Sequence, residues 1–176
     1  VFNNTGGVLT IAGMVTNDDA GSISITNTGG AINVNAAVTV TTGGAITGIE
    51  DITITASSPL NINANISAPD DITLQATEDG GNNDDITVAA NVQSTGGGLI
   101  TFNAGHDFIQ AGGTISTTGN VDINADYDGG GTGLINQTGG NIIATTLYAD
   151  APGAITLTQA GNDVDNLSAS SGGNNI

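Results

Sequence analysis

The chain has no lysine, no arginine and no cysteine, only three prolines, and aromatic side chains at 3% of its 176 residues. Each shortage excludes something. A chain with no cationic side chain beyond His106 cannot neutralise phosphates, so nucleic acid is not an expected partner. Docking on anionic lipid is excluded on the same ground. The absence of cysteine removes disulfides and leaves the redox compartment unreadable. It suits a protein exported unfolded and a cytosolic one equally. No stretch reads as a signal peptide, a transmembrane run or a lipidation motif, so membrane insertion is not expected. Lys and Arg are missing and Glu is scarce, and no stretch of about 12 residues keeps a 3.6 period, which leaves no convincing helix. A 38% hydrophobic content with so few aromatics would leave a globular core thin in large side chains.

What is present is acid, glycine and short apolar alternation. The 17 Asp plus Glu give a formal net charge of −17. No internal salt bridge can form except through His106 or a terminal amine, and the natural partners of such a surface are divalent cations. The 28 glycines, with Asn and Thr, suit many short strands joined by tight turns.

One pattern recurs: apolar, any residue, apolar, any residue, alanine, led by an acid or a turn residue. It reads "DITITA" at 51–56, "DITLQA" at 71–76, "DITVAA" at 85–90, "LITFNA" at 99–104 and "NVDINA" at 120–125, with a looser "AITLTQA" at 154–160. Period-two alternation predicts strands with one buried face, and the alanine marks a bend where only a small side chain fits. Shorter apolar pairs lie between the copies, and Gly-Gly pairs separate many of them. Irregular spacing near one coil length predicts a parallel β-helix, a β-solenoid of about eight to nine coils, its small interior filled by β-branched residues and its Asn and Thr able to stack into ladders. The rival, an antiparallel sandwich, calls for Asn-Gly hairpins and more aromatic core; the chain has no Asn-Gly, and Phe102 and Phe108 are expected inside the coil.

The stretch "INQTGGNIIATTLYADAPGAITLTQAGNDVDNLSASSGG" at 135–173 resembles a repeat of the filamentous haemagglutinin type, found in large bacterial exoproteins of the two-partner secretion family. Ile135, Gln137, Gly140, Ile142, Ala144, Leu147, Ala149, Gly153, Ile155, Leu157, Asn162, Val164 and Leu167 carry the likeness, and "GHDFIQAGGTISTTGNVDINA" at 105–125 is similar in style. The resemblance implies a right-handed β-helical shaft, an extracellular or bacterial cell-surface location, and adhesion, biofilm or fibre roles rather than catalysis. The family's amino-terminal secretion domain is not in these residues, and the family does not usually lack Lys and Arg altogether.

Residues 1–176 read as a single β-helical segment. Joining Ile176 to Val1 gives "SASSGGNNI-VFNNTGGVLTIAG", which predicts one unit of a tandem array or filament, units meeting end to end, each rising roughly 40 Å at about 4.8 Å per coil.

Acids pair at the presumed corners: Asp18-Asp19, Glu50-Asp51, Asp70-Asp71, Glu78-Asp79 and Asp84-Asp85. Were Asp51, Asp71 and Asp85 to share one corner, their carboxylates would stack about 5 Å apart and need protons or a cation. Oxygen-rich corners suit Ca²⁺, so Glu78, Asp79, Asp84, Asp85, Asp51 and Asp71 are the candidate ligands; the alternative is a solvated acidic face with diffuse counter-ions. A second acidic cluster falls at Asp122, Asp126 and Asp128. The run "GGGTGLI" at 129–135 lacks the Asp of a Ca²⁺-binding nonapeptide and the Lys of a phosphate loop. His106 reads as a turn residue; beside Asp107 it has the alternative of acid–base work, but no Cys accompanies it for zinc.

No catalytic residue is nominated. Lyases of this fold generally rely on Arg or Lys, and a carboxylate-pair hydrolase wants a groove with aromatic platforms. The primary functional expectation is a structural solenoid repeat of an extracellular fibre or giant adhesin, needing no cofactor unless Ca²⁺. The alternative is a carbohydrate- or host-protein-binding adhesin module, with surface glycans as partners and loops 77–85 or 126–133 as the contact. Sequons at Asn3, Asn65, Asn136 and Asn166 permit glycosylation without predicting it.

Overall fold

The computed structural model describes residues 1–19, 21–41, 50–77 and 83–172. The described residues form strands and turns with no helix. The chain winds in triangular turns, three short strands to each. Turn one is β1 (Phe2–Asn4), β2 (Leu9–Ile11) and β3 (Val15–Asn17). Turn two is β4 (Ile23–Asn27), β5 (Ile32–Val34) and β6 (Val38–Val40). Turn three is β7 (Ile52–Ala56), β8 (Leu60–Ile62) and β9 (Ile66–Ala68). Turn four is β10 (Ile72–Ala76), β11 (Ile86–Val88) and β12 (Val92–Ser94). Turn five is β13 (Ile100–Ala104), β14 (Phe108–Gln110) and β15 (Thr114–Ser116). Turn six holds β16 (Asn120–Ala125), β17 (Ile135–Gln137) and the start of β18 (Asn141–Ala151); β18 runs on into turn seven, which adds β19 (Ile155–Leu157) and β20 (Asp163–Ser171).

Every recorded pairing is parallel, and each strand lies beside its counterpart one turn away. The second face is the sheet β2-β5-β8-β11-β14-β17-β19; the first and third faces join through β18. The solenoid thus has about seven turns rather than eight to nine. Stacked positions lie 20 to 29 residues apart, so a turn is usually longer than the motif spacing suggests. Two motif copies also belong to the second face, since Ile86 and Ile155 open β11 and β19, and counting them as fresh coils inflates the number.

The core is a set of in-register columns. On the first face Ile25, Ile54, Leu74, Phe102 and Ile123 stack in one column, and Ile23, Ile52, Ile72, Ile100 and Val121 in another. The central members of both are fully buried, each worth about 1.5–3 kcal/mol relative to exposure. Ala56, Ala76, Ala104 and Ala125 form the third column, at the bend. Phe102 and Phe108 meet from adjacent faces with ring centroids 4.9 Å apart, tilted by 60°. The second-face column Ile11, Val34, Ile62 and Val88 changes character at Gln110 and Gln137. These two point inward and survive burial because Gln137 donates to Gln110 (2.9 Å) and exchanges amide hydrogen bonds with Asn162 (2.9 and 2.7 Å). At the following corner Gly113 and Gly140 hold φ of 67° and 76°, and a Cβ on Gly140 would collide with the Gly113 carbonyl. Only glycine reconciles that backbone with the turn-to-turn spacing.

Candidate functional site

At the corners of turns four to six the backbone N–H at the start of a strand donates to a side chain of the preceding turn. At all three corners an Asp or Asn one turn back accepts it. At the first corner Asp51 Oδ1 accepts from Asp71 N (3.2 Å) and Asp71 Oδ1 from Leu99 N (2.7 Å). At the second, Asp85 Oδ1 accepts from Asp107 N (3.0 Å) and Asp107 Oδ1 from Leu134 N (2.9 Å). At the third, Asn65 Oδ1 accepts from Asn91 N (3.2 Å) and Asn91 Oδ1 from Thr114 N (2.8 Å). Asp51, Asp71, Asp85 and Asp107, each immediately before a strand, are therefore side-chain caps for corner amides that would otherwise lack a protein partner.

This geometry brings the candidate ligands into two groups. Asp51 and Asp71 stack as expected and are joined by Asp70, one oxygen of each lying within 4.8 Å of the others. Burial, then the neighbouring Asp71 and Asp51 charges, push the Asp70 carboxyl above its ordinary value. Glu50 turns inward instead; it is 2% exposed, and its Oε1 meets no donor among the described residues. Asp85 does not share this corner: it opens the second face. Its neighbour Asp84 is fully buried, with its carbonyl accepting from His106 N (3.1 Å). Glu78 and Asp79 lie outside the described residues.

Around Asp85 the structure assembles a group that no local motif announces. His106 Nδ1 stands 3.3 Å from Asp85 Oδ1 and 3.2 Å from Asp107 Oδ1. Its Nε2 lies 3.3 Å from Thr132 Oγ1, one turn onward. Burial raises the Asp107 carboxyl, against the opposing pull of the Leu134 amide and of His106, while Asp85 adds to the rise. The sequence signal was the shared position of Asp85 and Asp107, each immediately before a second-face strand, β11 ("ITV") and β14 ("FIQ"). It is a faint signal, because the two are separated by a full turn.

The second acidic cluster does not converge. Asp122 faces outward on β16, its carboxyl raised by burial and by Asp150 against a hydrogen bond from Asn124. Asp126 holds a left-handed φ of 57° and accepts from Gly131 N (2.6 Å). Beside it, Asn124, Tyr127, Asp150, Pro152 and Ser170 line a cleft of about 400 Å³. Tyr127, bonded through its hydroxyl to the Gln75 side-chain amide, is exposed, and so is Tyr148 on the neighbouring face. The sequon residues Asn3, Asn65 and Asn166 are exposed, and Asn136 is half-buried.

The chain matches no family model, and comparison with curated proteins and with solved structures finds no significant match.

Proposed function

We propose that the chain is a structural β-solenoid repeat of a bacterial extracellular fibre or large surface adhesin, non-catalytic and working by mechanical continuity. The observation that carries this reading is the unbroken register of the first-face columns from turn two to turn six, with β18 and β20 extending the ladder. A ladder of backbone hydrogen bonds along one axis resists tension in the direction the shaft would be pulled. The resemblance of residues 135–173 to filamentous haemagglutinin repeats points the same way. The absence of Lys and Arg leaves no trypsin site, which suits an exposed location. The acidic surface would hold shafts apart at low salt and let divalent cations bridge them.

Self-association along the axis belongs to the same proposal. Phe2, Leu9, Ile11 and Val15 line an apolar cleft of about 490 Å³ on the outer side of turn one. They sit at the head of columns that are otherwise buried, and a further solenoid turn, of the same polypeptide or of another copy, would extend each column by one member. Electron microscopy of the native material tests this. Uniform filaments with turns stacked about 4.8 Å apart along the axis are the expected result. Isolated short rods would overturn the fibre reading.

The cleft beside Tyr127 favours a second reading, a carbohydrate-binding adhesin module. An exposed ring flanked by Asn124, Asp150 and Ser170 has the stacking surface and polar groups a glycan needs. Tyr127→Ala abolishing glycan or cell attachment with an unchanged circular dichroism spectrum would favour it over the fibre.

A further inference from the structure

We propose that Asp85, His106 and Asp107 form a binding site for one divalent transition-metal ion, ligated by His106 Nδ1 and one carboxylate oxygen from each Asp. The site belongs to the corner between the first and second faces, separate from the Tyr127 cleft, and does not depend on the fibre reading.

Three observations converge on it. The first is spacing. Ligand atoms bound tetrahedrally at about 2.0–2.2 Å stand about 3.3–3.6 Å apart, and His106 Nδ1 lies 3.3 and 3.2 Å from the two Oδ1 atoms, close to the short end of that range. The three donor atoms lie within 4.8 Å of one another.

The second is orientation. Thr132 Oγ1 stands 3.3 Å from Nε2 and can accept from an Nε2–H; in that tautomer the Nδ1 lone pair faces two carboxylates, whereas an Nδ1–H would donate to them directly. A lone pair facing two anions is repulsive unless a cation sits between them, either a proton on Nδ1 or a metal. An outer partner that fixes the tautomer of a ligating imidazole is the usual companion of such a site.

The third is rigidity. Both carboxylates are held by corner amides, Asp85 by Asp107 N and Asp107 by Leu134 N. The His106 backbone is pinned on both sides, its N–H donating to the Asp84 carbonyl (3.1 Å) and its carbonyl accepting from Asp126 N (2.9 Å). Little reorganisation is needed on binding. The side chains keep 19 to 29% of their exposure, enough for an ion to arrive and for water to complete its coordination.

The donor set decides the class of ion. Imidazole with two carboxylates suits Zn²⁺ and Co²⁺, whereas Ca²⁺ and Mg²⁺ prefer oxygen alone. Two ionised carboxylates balance the ion's charge, and the chain has no Lys or Arg to compete for them.

The test is a titration of the demetallated 176-residue chain with Co²⁺, then Zn²⁺, in a buffer that does not bind metal. The expected result is one Co²⁺ per chain with the intensified visible absorption of a four- or five-coordinate ion, displaced by equimolar Zn²⁺, and a shift of the His106 imidazole nitrogen resonances. His106→Gln should weaken binding at least a hundredfold, and Asp51→Asn should leave it unchanged. The resonance shift needs no variant, so poor folding of His106→Gln would not blur the outcome. An unshifted His106 ring, a cobalt spectrum left as that of the hydrated ion, equal affinity in His106→Gln, or displacement by equimolar Ca²⁺ would each overturn the proposal.

Discussion

Two corners of the same solenoid use the same device and meet opposite electrostatic fates. At the first corner Asp51 and Asp71 each cap the amide one turn on, and Asp70 crowds them with a third carboxylate. At the second, Asp85 and Asp107 do the same capping, but His106 stands between them. One corner concentrates like charge; the other holds the chain's single histidine against two acids. The comparison teaches that an acid before a strand is first a hydrogen-bond acceptor. Whether it is also a cation ligand depends on what the next turn places beside it, and that lies 20 or more residues away in sequence.

The largest expected difference between the corners is in stability. Asp107 and Leu134 are half-buried, so water replaces the lost carboxylate less well there, and Asp107→Ala should cost about 1–1.5 kcal/mol, the upper part of the range for a typical hydrogen bond. Asp71 is exposed, so water can replace it at Leu99, and Asp71→Ala should cost under about 1 kcal/mol. Urea denaturation of both variants measures the contrast. Equal losses would mean that burial does not separate the corners.

Much of the fold was legible because a two-residue period has a direct physical meaning. The alternation in "DITITA" or "LITFNA" fixes which side chains face inward, and the terminal alanines do mark the bend. Phe102 and Phe108 lie inside as expected. The number of turns was harder to read, because "DITVAA" and "AITLTQA" look like the first-face motif but lie on the second face, where the same alternation serves equally well. The same ambiguity left open whether Asp85 shares a corner with Asp51 and Asp71, and it does not. Gln110 and Gln137 were missed as core residues because a polar side chain at an inward position breaks the apolar pattern. Their one signal is that "FIQ" and "INQ" place an amide in the same phase of successive turns. The His106 group was the least legible, since its parts come from turns four, five and six and meet only through stacking.

Acidification should act on both corners in one direction. The carboxyls of Asp70, Asp107 and Asp122 are all raised above 3.8 in the folded protein. The folded state therefore binds their protons more tightly than the unfolded chain does. Stability should climb as pH falls through the raised folded values towards 3.8, where the unfolded carboxyls also take up protons and the gain levels off. Reduced self-repulsion of a chain with a net charge of −17 acts the same way. Thermal melts between pH 7 and pH 4 in the presence of a chelator should show Tm rising, with the slope reduced in Asp107→Asn and in Asp70→Asn. A falling Tm would show that carboxylate capping, rather than carboxylate crowding, governs the acid response.

The smallest effect sought is that of calcium at the first corner. Asp51, Asp70 and Asp71 offer three oxygens within reach of one ion, and a cation there would relieve the repulsion that raises Asp70. Extracellular Ca²⁺ sites with few protein ligands bind at about 10⁻⁴–10⁻³ M. At 1 mM Ca²⁺ such a site would add about 0.4–1.4 kcal/mol through mass action, visible as a small rise in Tm that chelation reverses. Asp70→Asn should remove that rise while keeping both corner amides capped, because the caps belong to Asp51 and Asp71. His106→Gln should leave it in place. If the pattern reverses, with the calcium response lost in His106→Gln and kept in Asp70→Asn, oxygen-only crowding is not what recruits a hard cation here. The two corners would then differ in the geometry of their caps rather than in the chemistry of the ion each one holds.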